Sequence, residues 1–502
     1  MVKPLSLILV TVDCLRADHV GFMGYKPPTT PFLDSLAGES LVFPNAIVAG
    51  FPTYYSFPSI LASRYPLALG RDLVGLAPGE PSLASVLREA GYATAAFNAG
   101  NPYVSAQFGY HEGFDSAQDF LDWTQPTDGP QNVHQNGSLR RTLNQRLERA
   151  FHSLGLAGAI YDELYFQYCQ WMAGRKKELM DKLRRFPAAD VIVDEALTWF
   201  SGLGAQPFFL WIHLMDPHGP YYPAEKALRE LGEANMTAGR ARYLNSFWNR
   251  GDLSPNRLRR HLDDIRLLYD AGIRWVDMQL ARLAETLRRF GRWDNTIFAF
   301  TADHGEEFLD HDGRFHAPNK VTEELVHVPL LLRVPGIKAR KLPEAPFSLL
   351  HLAPTLLDML NLAAPAEFQG QSYVPFLDAE STWREPVVVE CVDGCTNPYR
   401  PEMRIGPRLL AIRDERFKLV IHFSDKKEEL FDLQSDPGER SALPLGEQPD
   451  IRRRLLLRAR KHLQNSISQR DLGTRLRTYL REQSSLWLGA VETDAVHPFL
   501  PG

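Results

Sequence analysis

Four short stretches carry side chains that could act on one substrate. "TVDCLRADH" places Asp13 directly after an apolar run, and "TADHGEEFLDHDGRFH" places Asp303 and His304 after another. A carboxylate at a strand end is a hard-metal ligand, although a lone Asp there is also an ordinary cap or turn former. Adjacent Asp303 and His304 reach one cation if the backbone turns between them, and Gly305 permits that turn. Asp13, Asp303 and His304 then make an oxygen-rich site with one imidazole. Such a set suits one divalent cation, Mn²⁺, Mg²⁺ or Ca²⁺, with Zn²⁺ possible. The plain alternative is a surface acidic loop, and the repeated strand-end placement argues against it.

"GFPTYYSFPSILASRYP", residues 50 to 66, sets one threonine and three serines among aromatics and prolines. It reads either as a packed loop or as a sheltered pocket with a nucleophilic hydroxyl. A Thr hydroxyl is a poor nucleophile at neutral pH, but a divalent cation favours its alkoxide as it lowers the pKa of bound water. Thr53 would complete the metal shell and attack an electrophile held on the same ion. Ser56 and Ser59 are rivals that spacing alone does not eliminate. "HLMDPHGPYY" supplies His213 and His218. Pro217 and Pro220 stiffen the His218 loop, and His218 could contact a substrate anion or protonate a leaving oxygen. His213 lies within the apolar run and reads as a packing or orienting residue. His316 and Lys320, after "DHDGR", could add the positive charge that an anionic tetrahedral group needs. A lone His is usually structural; four regions converging on one face change that weighting.

The elements that must bring these residues together are legible as an alternation. Apolar strand-like runs such as "LSLILVTVD", "ATAAFNAG", "PFFLWIHLMD", "NTIFAFTADHG" and "VPLLLRVPG" alternate with helical patterns such as "TTPFLDSLAGES", "SLASVLREAGY", "DVIVDEALTWFSGL", "YDAGIRWVDMQLARLAETLRRFGRW" and "SLLHLAPTLLDMLNL". The pattern predicts an α/β sandwich with a large, mixed, mainly parallel sheet wrapped by helices. Ligands in such sheets sit beyond the carboxyl ends of strands, where "DCLRADH", "NAGNPY", "HLMDPHGPYY" and "ADHGEE" fall. Residues 1–384 read as the main domain, with a peripheral helical insertion at about 125–185. "LLAIRDERFKLVIHF" followed by "EELFDLQSDPGE" predicts antiparallel strands in a small C-terminal subdomain over 385–490, with a loose tail at 491–502.

The chain has 502 residues, 23% charged and 44% hydrophobic, with a formal net charge of -5. That is the composition of a globular protein with ample core. It gives no general pull toward nucleic acid or anionic membrane. Four cysteines, Cys14, Cys169, Cys391 and Cys395, are too few for a disulfide framework and read as free thiols. The apolar run in "MVKPLSLILVTVD" is short and lacks a cleavage site, so it reads as a buried first strand rather than a signal sequence. No stretch has the eighteen apolar residues of a spanning helix, and the chain is expected to be cytoplasmic unless an export signal was removed.

The stretch "LVTVDCLRADHVGFMGYKPPTTPFLDSLA" resembles the N-terminal signature of the sulfatase family, in the alkaline phosphatase superfamily. "PSLASVLREAGYATAAF", "GYHEGFD", "HLMDPHGPYYP", "NTIFAFTADHGEEF", "EELVHVPLLLRVPG" and "HLAPTLLDMLNLAAPAEFQGQSY" follow in the family's order, and "RFKLVIHF...EELFDLQSDPGE" resembles its C-terminal strand block. Many sulfatases carry Cys-x-Pro-Ser-Arg, whose cysteine becomes formylglycine, in a loop after the first helix. Counting back from "RYP", which resembles the family's Gly-Arg-Tyr-Pro, puts Thr53 at that nucleophile position, Ser56 at the motif serine and Phe57 at the arginine. No cysteine stands nearby, so formylglycine is not expected. Relatives with Thr or Ser there include phosphotransferases and phosphodiesterases, such as lipoteichoic-acid synthases and phosphoethanolamine transferases. Many sulfatases also have Asp-Asp where this chain has Asp13-Cys14. The resemblance implies a one-metal set of Asp13, Thr53, Asp303 and His304, with His218 and His316 on the transferred group. Lys320, whose spacing departs from the family's lysine, and Arg16 are looser candidates for substrate contact.

The resulting expectation is a metal-dependent hydrolase or transferase of a phosphate, phosphonate or sulfate ester, phosphorus favoured, working through a covalent Thr53 intermediate. Its substrate would be a small-molecule, lipid or glycan ester, and the sequence leaves the oligomeric state open. The rivals are a sulfuric-ester hydrolase without formylglycine and a non-catalytic binding protein that keeps the fold.

Overall fold

The computed structural model describes residues 4–70, 73–121, 179–377 and 385–468, with a few helical positions between 163 and 170. Its main sheet is built on β1 (Ser6–Val12), β2 (Leu41–Ile47), β3 (Ala93–Asn98), β4 (Ser116–Gln118), β5 (Phe208–Leu214) and β6 (Thr296–Ala302). β1, β5 and β6 are buried along their whole length. They therefore read as continuous apolar runs rather than alternating ones, because helices cover both faces. Across the sheet the order is Arg340–Lys341, β2, His327–Arg333, β6, β1, β5, β3, β4, with Phe347–Ser348 also on β2. Only His327–Arg333 runs antiparallel to its neighbours β2 and β6. The mixed, mainly parallel sheet expected from the alternation is the one observed.

Register fixes the working face. Val12 lies opposite Leu214 on one side and Ala302 on the other. Asp13 and Asp303 each follow by one residue, so they emerge side by side from adjacent central strands, about 4.8 Å apart in the sheet direction.

Helices over "TTPFLDSLAGES" and "SLASVLREAGY" appear as α1 (Pro31–Ala37) and α3 (Leu83–Glu89); α2 (Thr53–Ala62) lies between them. The long helix Leu262–Arg289 buries Ile265, Leu268, Ile273, Val276, Leu280, Leu283 and Leu287, the stripe that a 3.6-residue period places on one side. From its inner face Asp277 accepts from the Phe32 and Leu33 amides at 3.0 and 2.9 Å, filling two donors left open at the start of α1. Among the described residues no helix is long and apolar enough to cross a membrane.

The C-terminal block is an antiparallel sheet of Val387–Val392, Arg408–Arg413, Phe417–His422 and Lys427–Asp432, in that order. Helix Pro449–Ser468 packs on it through Leu455 and Ala459 against Val388, Leu410, Ile412, Leu419 and Leu430. This block is stitched to the main domain: Phe51 N donates to Glu390 O and Glu390 N to Ala49 O, both at 3.0 Å. The helical insertion expected at 125–185 lies largely outside the described residues; its end is a single 3₁₀ turn, Met180–Leu183. The tail at 491–502, and the subdomain beyond 468, also lie outside them.

Candidate active site

Beyond the ends of β1 and β6, Asp13, Asp303 and His304 are fully buried and present ligand atoms within 4.8 Å of one another. His304 Nε2 lies 3.6 Å from Asp303 Oδ2 and 3.9 Å from Asp13 Oδ1. The His304 ring is oriented by its Nδ1–H, which donates to the Gly305 carbonyl at 2.8 Å, leaving the Nε2 lone pair facing the carboxylates. Gly305 is needed for space: a Cβ there would strike the Glu324 carbonyl oxygen.

The donor set passes a test for a divalent cation. Asp303 Oδ1 accepts from His304 N at 2.9 Å, but the buried Oδ2 has no hydrogen-bond partner. A buried carboxylate oxygen left bare is costly unless a cation meets it. Among the described residues, no Lys or Arg pairs with Asp13 or Asp303. Burial pushes the Asp303 carboxyl far up, and Asp13 adds to it; burial would also raise Asp13, but His218, His213 and His304 hold it below the usual range. His304 is pushed down to about 3 by burial and by His316. It is therefore neutral, the form in which imidazole ligates.

Thr53 is the first residue of α2, not a loop residue. Prolines at 52 and 58 argue for a loop in sequence. Pro52 instead stands at the helix entrance, and Pro58 removes one helical donor within a segment whose ten side chains are all buried; packing outweighs that loss. Thr53 Oγ1 lies 2.9 Å from His304 Nε2, at the positive end of the helix dipole. The rival serines point elsewhere: Ser56 Oγ donates to Asp303 O at 2.7 Å and Ser59 Oγ to Ser56 O at 2.6 Å. Phe57, at the position of the family's arginine, packs on Trp211, His213 and Tyr110.

His218 and His316 line the open side of the cluster, ring centroids 5.1 Å apart, with His316 4.7 Å from His304. His218 Nδ1–H donates to Gly219 O at 2.6 Å, which leaves Nε2 as the acceptor nitrogen, and a ring nitrogen of His218 lies within 4.8 Å of Asp13 and Cys14. Burial lowers the His218 pKa; burial works against His316 too, but buried Glu306, 3.3 Å from its Nδ1, raises it above the ordinary value. His213 has the orienting place expected of it: Nδ1 meets Thr11 Oγ1 at 3.0 Å and Nε2 lies 3.5 Å from Asp13 Oδ2.

Two expected substrate contacts are not brought to the cluster. Arg16 forks onto Asp18 and Asp310 at 2.7 Å and donates to Glu306 O at 3.0 Å. Its donors are taken up in holding the Asp303 loop to the β1 loop. Lys320 Nζ lies on Glu307 at 2.8 and 3.0 Å and on His311 O at 2.9 Å, so it neutralises a buried carboxylate. Asn101 and Glu306 went unmarked in sequence, and Cys14 was marked only as a departure from the family's Asp-Asp. Asn101 Nδ2 donates to Asp13 Oδ2 at 2.7 Å; it stands in "NAGNPY", one of the strand-end clusters that could have signalled it. Glu306 links His316 to the Tyr221 hydroxyl at 3.2 Å. Cys14, buried at φ +59°, donates to Asp13 Oδ1 at 3.0 Å and lies 3.3 Å from His316 Nδ1.

A cavity of about 680 Å³ opens on His218 and His316. Its walls include Tyr222, Trp248 and Phe315.

Comparison with known proteins places the chain in a family. A family model described as Sulfatase matches residues 6–362, and one described as N-sulphoglucosamine sulphohydrolase, C-terminal, matches 311–465. The multifunctional alkaline phosphatase superfamily protein PehA of Trinickia caryophylli is 25% identical, covering 87% of this chain and 91% of its own. An arylsulfatase of Clostridium perfringens is also 25% identical, covering 87% and 89%. In fold the chain is similar to the phosphonate monoester hydrolase SpPMH from Silicibacter pomeroyi, with TM-score 0.62 and 21% identity over 93% of this chain and 96% of that one. The match over most of the main domain, on a fold that sets Asp13, Thr53, Asp303 and His304 together, makes this chain a member of the sulfatase family of ester hydrolases.

Proposed function

We propose that this protein cleaves phosphonate or phosphate monoesters or diesters through a covalent intermediate on Thr53. The observation that carries this reading is the Thr53 hydroxyl at 2.9 Å from His304 Nε2, inside the cluster with Asp13 and Asp303. Asp13, Asp303 and His304, with Thr53, would hold one divalent cation. Bound there, it would supply Lewis-acid stabilisation of the alkoxide and of the phosphoryl oxygens.

The chain's own groups do the rest. The Thr53 hydroxyl gives its proton to solvent, and Oγ1 forms the new bond to phosphorus while the bond to the leaving alcohol breaks. The dipole of α2 favours the developing negative charge at its first residue. His316, whose charged form Glu306 favours, gives its proton to the leaving oxygen. Neutral His218, locked by Gly219 O, directs Nε2 at the transferred group. Asn101 and His213 fix Asp13, and Glu306 and Tyr221 fix His316. Water or an acceptor alcohol then takes the phosphoryl group from Thr53.

Phosphorus is favoured because position 53 carries Thr and no formylglycine precursor, and because relatives in the comparison include phosphonate monoester hydrolases. A sulfuric ester is the second reading, supported by the arylsulfatase relative. The deciding experiment is an ester panel, aryl phosphonate, aryl phosphodiester and aryl sulfate, with and without added Mn²⁺. Metal-stimulated turnover of a phosphorus ester, lost at least about a thousandfold in Thr53→Ala, is expected. Turnover of aryl sulfate alone would shift the assignment to sulfur, and wild-type rates in Thr53→Ala would refute the nucleophile.

A further inference from the structure

The cavity over His218 and His316 has an uneven chemistry. It is lined by Leu183, Tyr222, Trp248 and Phe315, with the amides of Asn245 and Asn249, and among the described residues no carboxylate lines it. Among those residues its one permanently charged wall residue is Arg185. Arg185 is exposed and has no ion-pair partner among the described residues, unlike Arg16, Arg250, Arg259 and Arg274, each of which lies on a carboxylate.

Arg185 is also held in place. Its neighbour Arg184 donates through Nε to the Tyr222 carbonyl at 2.7 Å. On the other side, Phe186 packs edge-on against the His218 ring with centroids 5.3 Å apart. The segment is thus pinned at both ends to the loop that carries His218, and Arg185 lines the same cavity as His316, the group proposed above to protonate the leaving oxygen. An unpaired guanidinium and, among the described wall residues, no acidic one describe a pocket suited to an anion.

We propose that the leaving alcohol of the natural substrate carries a second anionic group, read by Arg185. The substrate class is an ester whose alcohol half bears a carboxylate, sulfate or phosphate. This rests on the ester-cleavage reading above. An Arg fork matches any of these anions in a bidentate way, so the shared chemistry is the planar or tetrahedral oxyanion. The pocket makes the anion a determinant of binding, not of the bond-breaking step.

The test uses two nitrophenyl phenylphosphonates of equal shape, one with a carboxylate on the leaving ring and one with a carboxamide at the same position. Wild-type protein is expected to favour the carboxylate about tenfold in kcat/KM, through KM, which corresponds to about 1.4 kcal/mol. The preference should shrink as salt rises. Arg185→Gln should bring the ratio to near one while leaving the carboxamide ester within about twofold of wild type. Equal use of both esters by wild-type protein overturns the proposal, as does a ratio that survives Arg185→Gln or a variant that loses both substrates alike. Failure of the Thr53 reading is separate: it would show as carboxamide-ester turnover that persists in Thr53→Ala. A parallel series with a sulfonate in place of the carboxylate tells which oxyanion is preferred.

Discussion

Asp13 shows how much of this site depends on neighbours that touch no substrate. Its Oδ2 takes a hydrogen bond from Asn101 at 2.7 Å and faces His213 Nε2 at 3.5 Å. Asn101→Ala should therefore weaken metal binding by about ten- to a hundredfold, as loss of a partner behind a ligand does. Titration with Mn²⁺ by calorimetry reads this directly, and unchanged affinity would remove Asn101 from the site. Lys320 makes the opposite case. Its ammonium balances Glu307, which is buried. Lys320→Met should leave kcat/KM for an aryl ester within about twofold. It should cost roughly 1–3 kcal/mol of stability, because Glu307 is left buried and unpaired. A large fall in kcat with an unchanged melting curve would restore Lys320 to the reaction. In sequence, Lys320 and His316 looked alike as sources of positive charge. Only their neighbours separate them, since Glu307 lies on one and the open cavity on the other. Glu306 was unmarked for the same reason: its role comes from the His316 ring and the Tyr221 hydroxyl, which only the fold brings to it.

At the scale of elements, strand order and register did most of the positioning. The run "LSLILVTVD" followed by a strand-end Asp, and its counterpart in "NTIFAFTADHG", were readable because a central parallel strand is apolar throughout and turns polar where it ends. Helix α2 was not readable, because its two prolines are local signals that tertiary packing overrides. Nor could sequence show that the C-terminal sheet braces α2 through Glu390, whose backbone bonds Ala49 and Phe51 just ahead of Thr53. The same residue holds the last helix: His462 Nε2 lies 2.8 Å from Glu390 Oε1, both buried. Burial alone would raise the Glu390 carboxyl, but His462 brings it down to about 2 from an ordinary 4.5. A lowered carboxylate pKa stabilises the fold fully above the unfolded value of about 4.5 and loses that contribution as pH falls toward about 2. His462→Gln should thus melt earlier than wild type at neutral pH, with the gap between the two narrowing across that acid window. Thermal melts at several pH values check this; a gap that widens in acid would contradict the linkage.

For the whole molecule, the fold class, the sheet's mixed character and the antiparallel C-terminal block were legible, because each rests on the periodicity of long apolar segments. Membership of the sulfatase family rests on motifs spread over residues 6–362, in order, on strand ends that the fold gathers. What the sequence held back is the pocket, whose walls come from separate segments, Leu183–Arg185, the His218 loop, Asn245–Asn249 and Phe315. The proposed chemistry stands on the alcohol of Thr53 becoming, for part of each turnover, a phosphoryl or phosphonyl ester. The most direct measurement is mass spectrometry of peptides from metal-loaded protein quenched in acid during turnover of an aryl phosphonate. The predicted result is a phosphonyl adduct on the peptide containing Thr53, localised to that residue and absent in Thr53→Ala. An adduct on Ser56 or Ser59, or full turnover with no adduct at any time point, would contradict it.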